Sequence, residues 1–534
     1  MYPATPPELK LDGIDILLEP ALKVRTWRTI DDSPVGPESW GLAEHEQVIK
    51  QLAKLKFNRI LLAVHPWQPF VDFESNGIKK QTGVLFQGHR FPVDGDTAGR
   101  AAFKGAKFFE NPDFIGQTTY AERIAAGTQQ AKGIIKAARK LGMSTALLFS
   151  PLDFPPEFAA ELTKSDVPAD ALVVTPDSPQ RLKTKSVISL TKNHFQAYLK
   201  GYPEIDTVYL AVRGRLALLA VLNEVLANKD RLQRRGGIPP TIVTTDVDPA
   251  IWQLLEKGTP AGIGVLAFPD ESARRIVEKR ALLKAFPVKT MSGSLSLSLS
   301  GDVAGVLPQM SHSSLKVLTD ELHTVGWEGF ATRFGTIGDL DFSLYYLSRA
   351  SFSPGITPRQ ALDDLVTPAL GDGTLERTLK AFDLIEQATI LIDQNDLRFA
   401  LPLPDIVMKH YASSEPVPAW WGKVKGHYLG AMDEMYRVNT RSREGNRTFS
   451  LYLARRCEFG AEYINCVEAV RRAGIAKAKG DKDTQVAELE KAVESLDTAL
   501  NALSAVSRSS SDRGVIAVLN EYGYRPLKKE LESQ

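Results

Sequence analysis

Arg59-Ile-Leu-Leu-Ala-Val-His65 is the stretch on which the reading of the fold turns. Its apolar residues run unbroken between an arginine and a histidine, with neither strand alternation nor helical spacing. A short run of this kind reads as a strand covered on both faces, the habit of parallel sheets. Just before it, Ala43 to Leu55 carries Val48, Ile49, Leu52 and Leu55 on one helical face, and before that Val24 to Ile30 is another strand. Outward from this strand–helix–strand unit, further apolar runs follow at Ser144–Ser150, Thr207–Val212, Thr241–Thr245, Gly264–Ala267, Lys289–Leu299 and Gly329–Arg333. Helical stretches at Tyr120–Leu141, Lys192–Tyr202, Ser272–Ala285 and Phe342–Ala350 lie between and after them, while Pro151 to Ser189 shows little periodicity. Eight strands alternating with helices predict an α/β chain closed as a (β/α)8 TIM barrel, whose active sites lie at the C-terminal strand ends.

Two stretches of the barrel stand out. Pro66 to Thr119 is a long excursion rich in glycine, aromatics and charge, of the length that is usually functional, and it is expected to wall the barrel mouth. Ser294-Leu-Ser-Leu-Ser-Leu-Ser300 alternates strictly, so the leucines would face the helices and the serines the lumen, as a polar lining or as a layer of small residues. Beyond Gly371 the pattern becomes purely helical. Leu375, Leu379, Phe382, Ile385 and Leu391 mark one helix, Arg447 to Arg472 a long second, and Leu489, Val493, Leu496, Leu500 and Leu503 a third, before a charged tail after Leu527. The expected division is an N-terminal extension over 1–23, the barrel over 24–370 and an all-α C-terminal domain over 371–534.

At 534 residues the chain exceeds one ordinary core. A formal charge of +1, from 65 basic and 64 acidic residues, gives no footprint for nucleic acid or an anionic membrane. No apolar run approaches the length of a membrane span. Met1-Tyr-Pro-Ala-Thr-Pro-Pro7 has no signal-peptide pattern, so the compartment is cytoplasmic as written, or periplasmic or secreted if a signal has been removed. Cys457 and Cys466 fall on opposite faces of a helix, at about 100° per residue, and are not expected to pair. Homo-oligomerisation is left open.

Phosphate-loop, dinucleotide, nucleophile-elbow and zinc-protease motifs are all absent, and the eight histidines show no metal-ligand spacing. Neither metal nor cofactor is expected, and the chemistry is sought in rim carboxylates. Asp31, Asp32, Asp153, Asp246, Asp270, Asp302 and Asp339 follow apolar runs. Asp248 before Pro249, Asp270 before its helix and Asp341 read as helix caps. That subtraction leaves Asp246 and Asp302 as the candidate catalytic pair. His65 and Trp67 stand at the mouth of the second strand, where a ring stacks on a sugar and an imidazole bonds hydroxyls, although a histidine there can also be plain core. Asp31 and Asp32 are a polar pair at the rim or turn residues.

Three places carry a resemblance. They are Trp40-Gly-Leu-Ala-Glu-His45 leading to Asn58-Arg-Ile-Leu-Leu-Ala-Val-His-Pro-Trp67; Gly329-Phe-Ala-Thr-Arg333 through Gly338-Asp-Leu-Asp341, Tyr345-Tyr-Leu347 and Phe352-Ser-Pro354 to Thr357-Pro358 and Gly371; and the helical region that follows. There the chain resembles the (β/α)8 glycoside hydrolases that include β-hexosaminidases and α-glucuronidases. The resemblance implies a carbohydrate substrate and two carboxylates acting as acid and as base or nucleophile. Those families commonly place an acid at the end of the fourth strand, where this chain reads Val212-Arg-Gly-Arg-Leu216. Either the acid comes from another strand, or Arg213 and Arg215 bind an anionic group of the substrate, or catalysis is lost and the barrel only binds carbohydrate.

Overall fold

A computed structural model of the protein describes residues 13, 15, 17–30, 32–150, 153–159, 185–211, 241–245, 248–259, 263–269, 272–286, 291–293, 305–333, 338, 341–400 and 404–534. Eight strands form one sheet: β1 (Val24–Thr29), β2 (Arg59–Ala63), β3 (Ser144–Phe149), β4 (Thr207–Ala211), β5 (Thr241–Thr244), β6 (Gly264–Ala267), β7 (Met291–Gly293) and β8 (Gly329–Thr332). Their order is β7-β6-β5-β4-β3-β2-β1-β8, and every pairing is parallel. That order is the chain order wrapped round on itself, and β7 comes back to within 8 Å of β8, Cα to Cα. The sheet therefore curls into a barrel. Where β8 meets β1 the backbones approach so closely that a Cβ on Gly329 would fall 1.7 Å from the Val24 carbonyl oxygen, so glycine is required there.

Period-two alternation divides each strand between two cores. Leu61, Ala63, Ala146, Leu148, Tyr209 and Leu266 belong to a small cluster inside the barrel. Ile60, Leu62, Leu147, Val208, Ile242 and Phe330 belong to the large cluster beneath the helices. At the N-terminal end Arg59 Nη1 donates to Tyr209 Oη at 2.6 Å, a polar contact that plugs the barrel floor.

The outer helices are α1 (Leu42–Lys54), α2 (Tyr120–Lys140), α3 (Lys185–Gly201), α4 (Pro249–Gly258), α5 (Ala273–Glu278), α6 (Arg280–Leu283), α7 (His312–Val325), α8 (Asp341–Phe352) and α9 (Pro358–Leu370). Asp248 caps α4, its carboxylate accepting Ala250 N–H at 2.8 Å, as its place before Pro249 predicts. The cap of α5 is Ser272 rather than Asp270, since the hydroxyl sits at the residue just before the first turn. The long excursion is not structureless. It is tied by two short hairpins, Glu74–Ser75 with Ile78–Lys79 and Phe91–Pro92 with Phe108–Phe109. Ser294 to Ser300 lie outside the described residues.

The remainder is helical among the described residues: α10 (Leu375–Asn395), α11 (Ala419–Arg441), α12 (Arg447–Lys479), α13 (Lys482–Ser504), α14 (Ser510–Leu519) and α15 (Arg525–Glu532). The sequence pattern missed α11, and the charged tail is in fact α15, anchored by fully buried Leu527 and by Lys528 on Asp96 at 2.9 Å. The helices rest on the loops at the C-terminal side of the barrel. Arg456 Nη2 donates to the Val306 carbonyl at 3.0 Å and Tyr428 Oη to the Pro308 carbonyl at 2.8 Å, both in the segment after β7. After β8, a Cβ on Gly338 would fall 2.6 Å from the Tyr452 ring. After β1, Trp40 Nε1 donates to Ser511 Oγ at 2.5 Å. After β2, Ser504 Oγ donates to the Gly99 carbonyl at 2.9 Å. Loops after strands 7, 8, 1 and 2 are neighbours around the barrel, so one arc of its rim is backed by helices.

Candidate active site at the barrel mouth

Ile30, the residue after β1, has φ +55 and is 1% exposed. A β-branched residue in the left-handed region is strained, and such strain persists only where the surroundings enforce it. The turn brings Asp32 against the loop that follows β2. There Asp32 Oδ2 accepts the Trp67 indole N–H at 2.6 Å, while Oδ1 accepts Gln68 Nε2 at 3.4 Å and the Gln87 backbone N–H at 3.3 Å. Phe86 and Gln87 also have positive φ, at 56° and 54°. Strained backbone thus converges on this carboxylate from both sides. Gln68 completes the circuit, its Oε1 accepting His65 N–H at 2.8 Å. The His65 and Trp67 rings stack with centroids 4.7 Å apart and planes at 13°.

Behind this layer Lys80 is buried, and its Nζ donates to the carbonyls of Gln68 at 2.6 Å and Val71 at 2.7 Å. Burial pushes its pKa down to about 7, against the opposing pull of Asp72 and Glu157. The amino group acts as a brace beneath the segment that carries His65, Trp67 and Gln68. A carboxylate taken up by three N–H donors serves to orient its neighbours rather than to deliver a proton. What the assembly offers is a half-buried indole and imidazole, fixed in place, beside an acceptor.

The mouth is lined by Arg28 from β1, His65, Ser150, Thr245 and Phe268 from the ends of β2, β3, β5 and β6. Arg333 follows lumen-facing Ala331 by two residues and so turns the same way; it is 3% exposed. Because Trp27 pairs with Thr332, Arg28 and Arg333 occupy the next register positions on adjoining strands. Sequence reading that looked for acids passed over these two arginines, although alternation with Trp27 and Thr332 signals them. Gln68, Gln87 and Lys80 carried no such signal.

Of the residues proposed from sequence, the structure brings Asp32, His65 and Trp67 together. Asp31, Arg213, Arg215, Asp246 and Asp302 lie outside the described residues. Asp153 follows Ser150 in the loop beyond β3, its N–H donating to the Ser150 carbonyl at 3.4 Å, and Asp341 opens α8. Among the described residues there is no group of three or more His, Cys, Asp or Glu side chains placed to hold a metal ion. No described helix is long and apolar enough to cross a membrane. A roomier cavity of about 320 Å³ lies outside the barrel, between α1, α8 and the start of α12. Its walls are largely apolar helix faces, such as Val48, Leu52, Leu344 and Phe449, and it takes no residue from a strand end. The mouth therefore remains the place where strand-end polar groups meet.

No protein-family model and no curated protein matches this chain. Solved structures do. A GH138 enzyme targeting pectin rhamnogalacturonan II aligns over 98% of this chain and 86% of its own, at 10% identity and a TM-score of 0.54. A family 89 glycoside hydrolase from Clostridium perfringens, in complex with PUGNAc, aligns over 98% of this chain at 9% identity and a TM-score of 0.56. The alignment spans 64% of that longer enzyme. At such identities the likeness is one of fold, and in its fold this chain is similar to the (β/α)8 glycoside hydrolases.

Proposed function

We propose that this protein is a glycoside hydrolase that binds a sugar at the C-terminal mouth of its barrel. The observation that carries the reading is the assembly of Asp32, Trp67 and His65, a locked aromatic pair beside a carboxylate, at the position where this fold does its chemistry. An indole face meets the C–H face of a pyranose, and the imidazole, Asp31 and Asp32 meet its hydroxyls. Arg213 and Arg215 are assigned to an anionic group of the substrate. Asp246, after β5, and Asp302, after β7, are assigned as the acid and its ionised partner. One protonates the leaving oxygen, and the other supports the oxocarbenium-like transition state or activates water. A carboxyl separation of about 5–5.5 Å implies retention and about 6.5–9.5 Å inversion.

A panel of aryl glycosides that includes glucuronides and N-acetylhexosaminides tests this. Turnover of at least one member is expected. Asp246→Asn and Asp302→Asn should each lower that turnover by at least about a hundredfold, since each keeps shape and removes the titratable group. Wild-type turnover in both variants would discard the pair. Sugar binding without turnover of any member would favour the second reading, a carbohydrate-binding barrel, which the lack of a carboxylate in Val212-Arg-Gly-Arg-Leu216 also favours.

A further inference from the structure

The excursion between β2 and α2 holds a second cleft, of about 460 Å³. It lies beyond the segment 84–88, whose Gln87 N–H meets Asp32 and whose Val84 N–H donates to the Trp67 carbonyl at 3.0 Å. Two arginines line it. Arg90 is exposed, and its guanidinium carbon stands 4.0 Å from the centroid of the Phe108 ring. Arg123, half-buried on α2, donates Nε–H to the Gly83 carbonyl at 2.5 Å and stands 5.6 Å from the Phe114 ring centroid.

Among the described residues no carboxylate comes within 4.0 Å of either guanidinium. Glu110, also on the wall, attracts Arg123 from farther away, while Arg90 repels it. The Tyr120 hydroxyl on the wall is committed to Asp72 Oδ1 at 2.7 Å. His89 is a third basic group on the same rim. Like charges gathered in a concave site raise the local potential for anions. Stacking on Phe108 fixes the Arg90 guanidinium, and a planar guanidinium presents paired N–H donors matched to an oxyanion.

We infer that this cleft is a binding site for an oxyanion-bearing ligand, the carboxylate or sulfate of an acidic saccharide, held by Arg90 and Arg123. The anion part stands on the cleft alone, whereas the saccharide part rests on the glycosidase reading. Because only the segment 84–88 separates cleft and mouth, the two would engage different residues of one chain-like substrate.

Calorimetric titration of the full chain tests this with four probes: a galacturonate tetramer, a sulfated heparin tetrasaccharide, neutral cellotetraose and inorganic sulfate. At least one acidic tetramer should bind more tightly than cellotetraose and weaken with added sodium chloride. Arg90→Gln, which removes an exposed group, should leave the melting temperature in place and weaken that binding by about tenfold or more. Arg123→Lys, which keeps the charge and loses the fork, should also weaken it. Acidic tetramers that bind no better than cellotetraose at low salt, or an Arg90→Gln variant with unchanged affinity, would overturn the proposal. Inorganic sulfate that binds as tightly as the tetramers would overturn the saccharide part and keep the anion site. Arginine-dependent binding by a chain that turns over no aryl glycoside would sink the hydrolase reading while supporting the cleft.

Discussion

An indole N–H given to a carboxylate loses its freedom to rotate, and Trp67 loses it to Asp32. Replacing Asp32 with asparagine would turn an amide N–H₂ toward one or more of the N–H groups of Trp67, Gln68 and Gln87. Asp32→Asn is therefore expected to weaken sugar binding at the mouth by about tenfold, read by tryptophan fluorescence during titration. Asp32, His65 and Trp67 were legible in the sequence because they stand at strand ends, where this fold gathers function. Gln68 and Gln87 were not, since they reach Asp32 through backbone turns that no side-chain pattern announces. A different residue controls acid stability. His194 is wholly buried among Phe73, Phe149, Phe154 and Tyr198, neither ring nitrogen has a hydrogen-bond partner among the described residues, and burial with nearby Lys80 lowers its pKa to about 3. Burial lowers buried His45 to about 3 as well. Both stay neutral in the fold while the unfolded chain takes up protons below about 6.5, so stability is full above that pH and is lost as pH falls from 6.5 toward 3. At pH 4.5, two pH units below the unfolded value, each histidine should cost about 3 kcal/mol. Urea unfolding at pH 7 and 4.5 should show a smaller loss for His194→Phe than for the wild type, and an equal loss would refute the assignment.

Strands and helices were legible wherever apolar spacing governs them. All eight predicted strand runs contain a described strand, and α1, α10 and α13 fall where apolar spacing placed them. Caps were harder, because Asp270 and Ser272 are both good cap residues and only geometry decides between them. The short hairpins of the excursion were invisible, being two residues to a strand and defined by contacts far apart in sequence. Helix α14 shows an element fixed by a single atom: a Cβ on Gly514 would lie 1.9 Å from the Pro34 carbonyl oxygen in the loop after β1. Gly514→Ala must push helix and loop apart, and it is expected to cost about 1–3 kcal/mol in chemical denaturation. An unchanged denaturation midpoint would mean that the helix does not press on that loop.

At the scale of the molecule, barrel and helices share one apolar core, which runs from Trp27 and Ile60 to Tyr463 and Leu500. We propose 24–370 and 371–534 as the two units of the chain, with 1–23 an extension. The loops after β1, β2, β7 and β8 lean on the helical unit, so a chain ending at residue 370 would expose Trp40, Val306 and Gly338, which that unit now covers. Such a chain is expected to be insoluble or to lack a cooperative melt, and a cooperatively folding 1–370 fragment would contradict this. The helical unit would then bear on function by holding one arc of the rim in place. Fold could be read from sequence because eight alternations of strand and helix constrain topology tightly. Reaction could not, because the carboxylates we assign to it, Asp246 and Asp302, follow apolar runs at positions whose geometry no periodicity encodes. The most direct test that the mouth is where a glycoside is cleaved is kcat/KM of Trp67→Ala on the best aryl glycoside of the panel. A fall of about tenfold or more, with the melting temperature unchanged, is the expected result. Wild-type kcat/KM in that variant would place the sugar elsewhere and contradict the assignment.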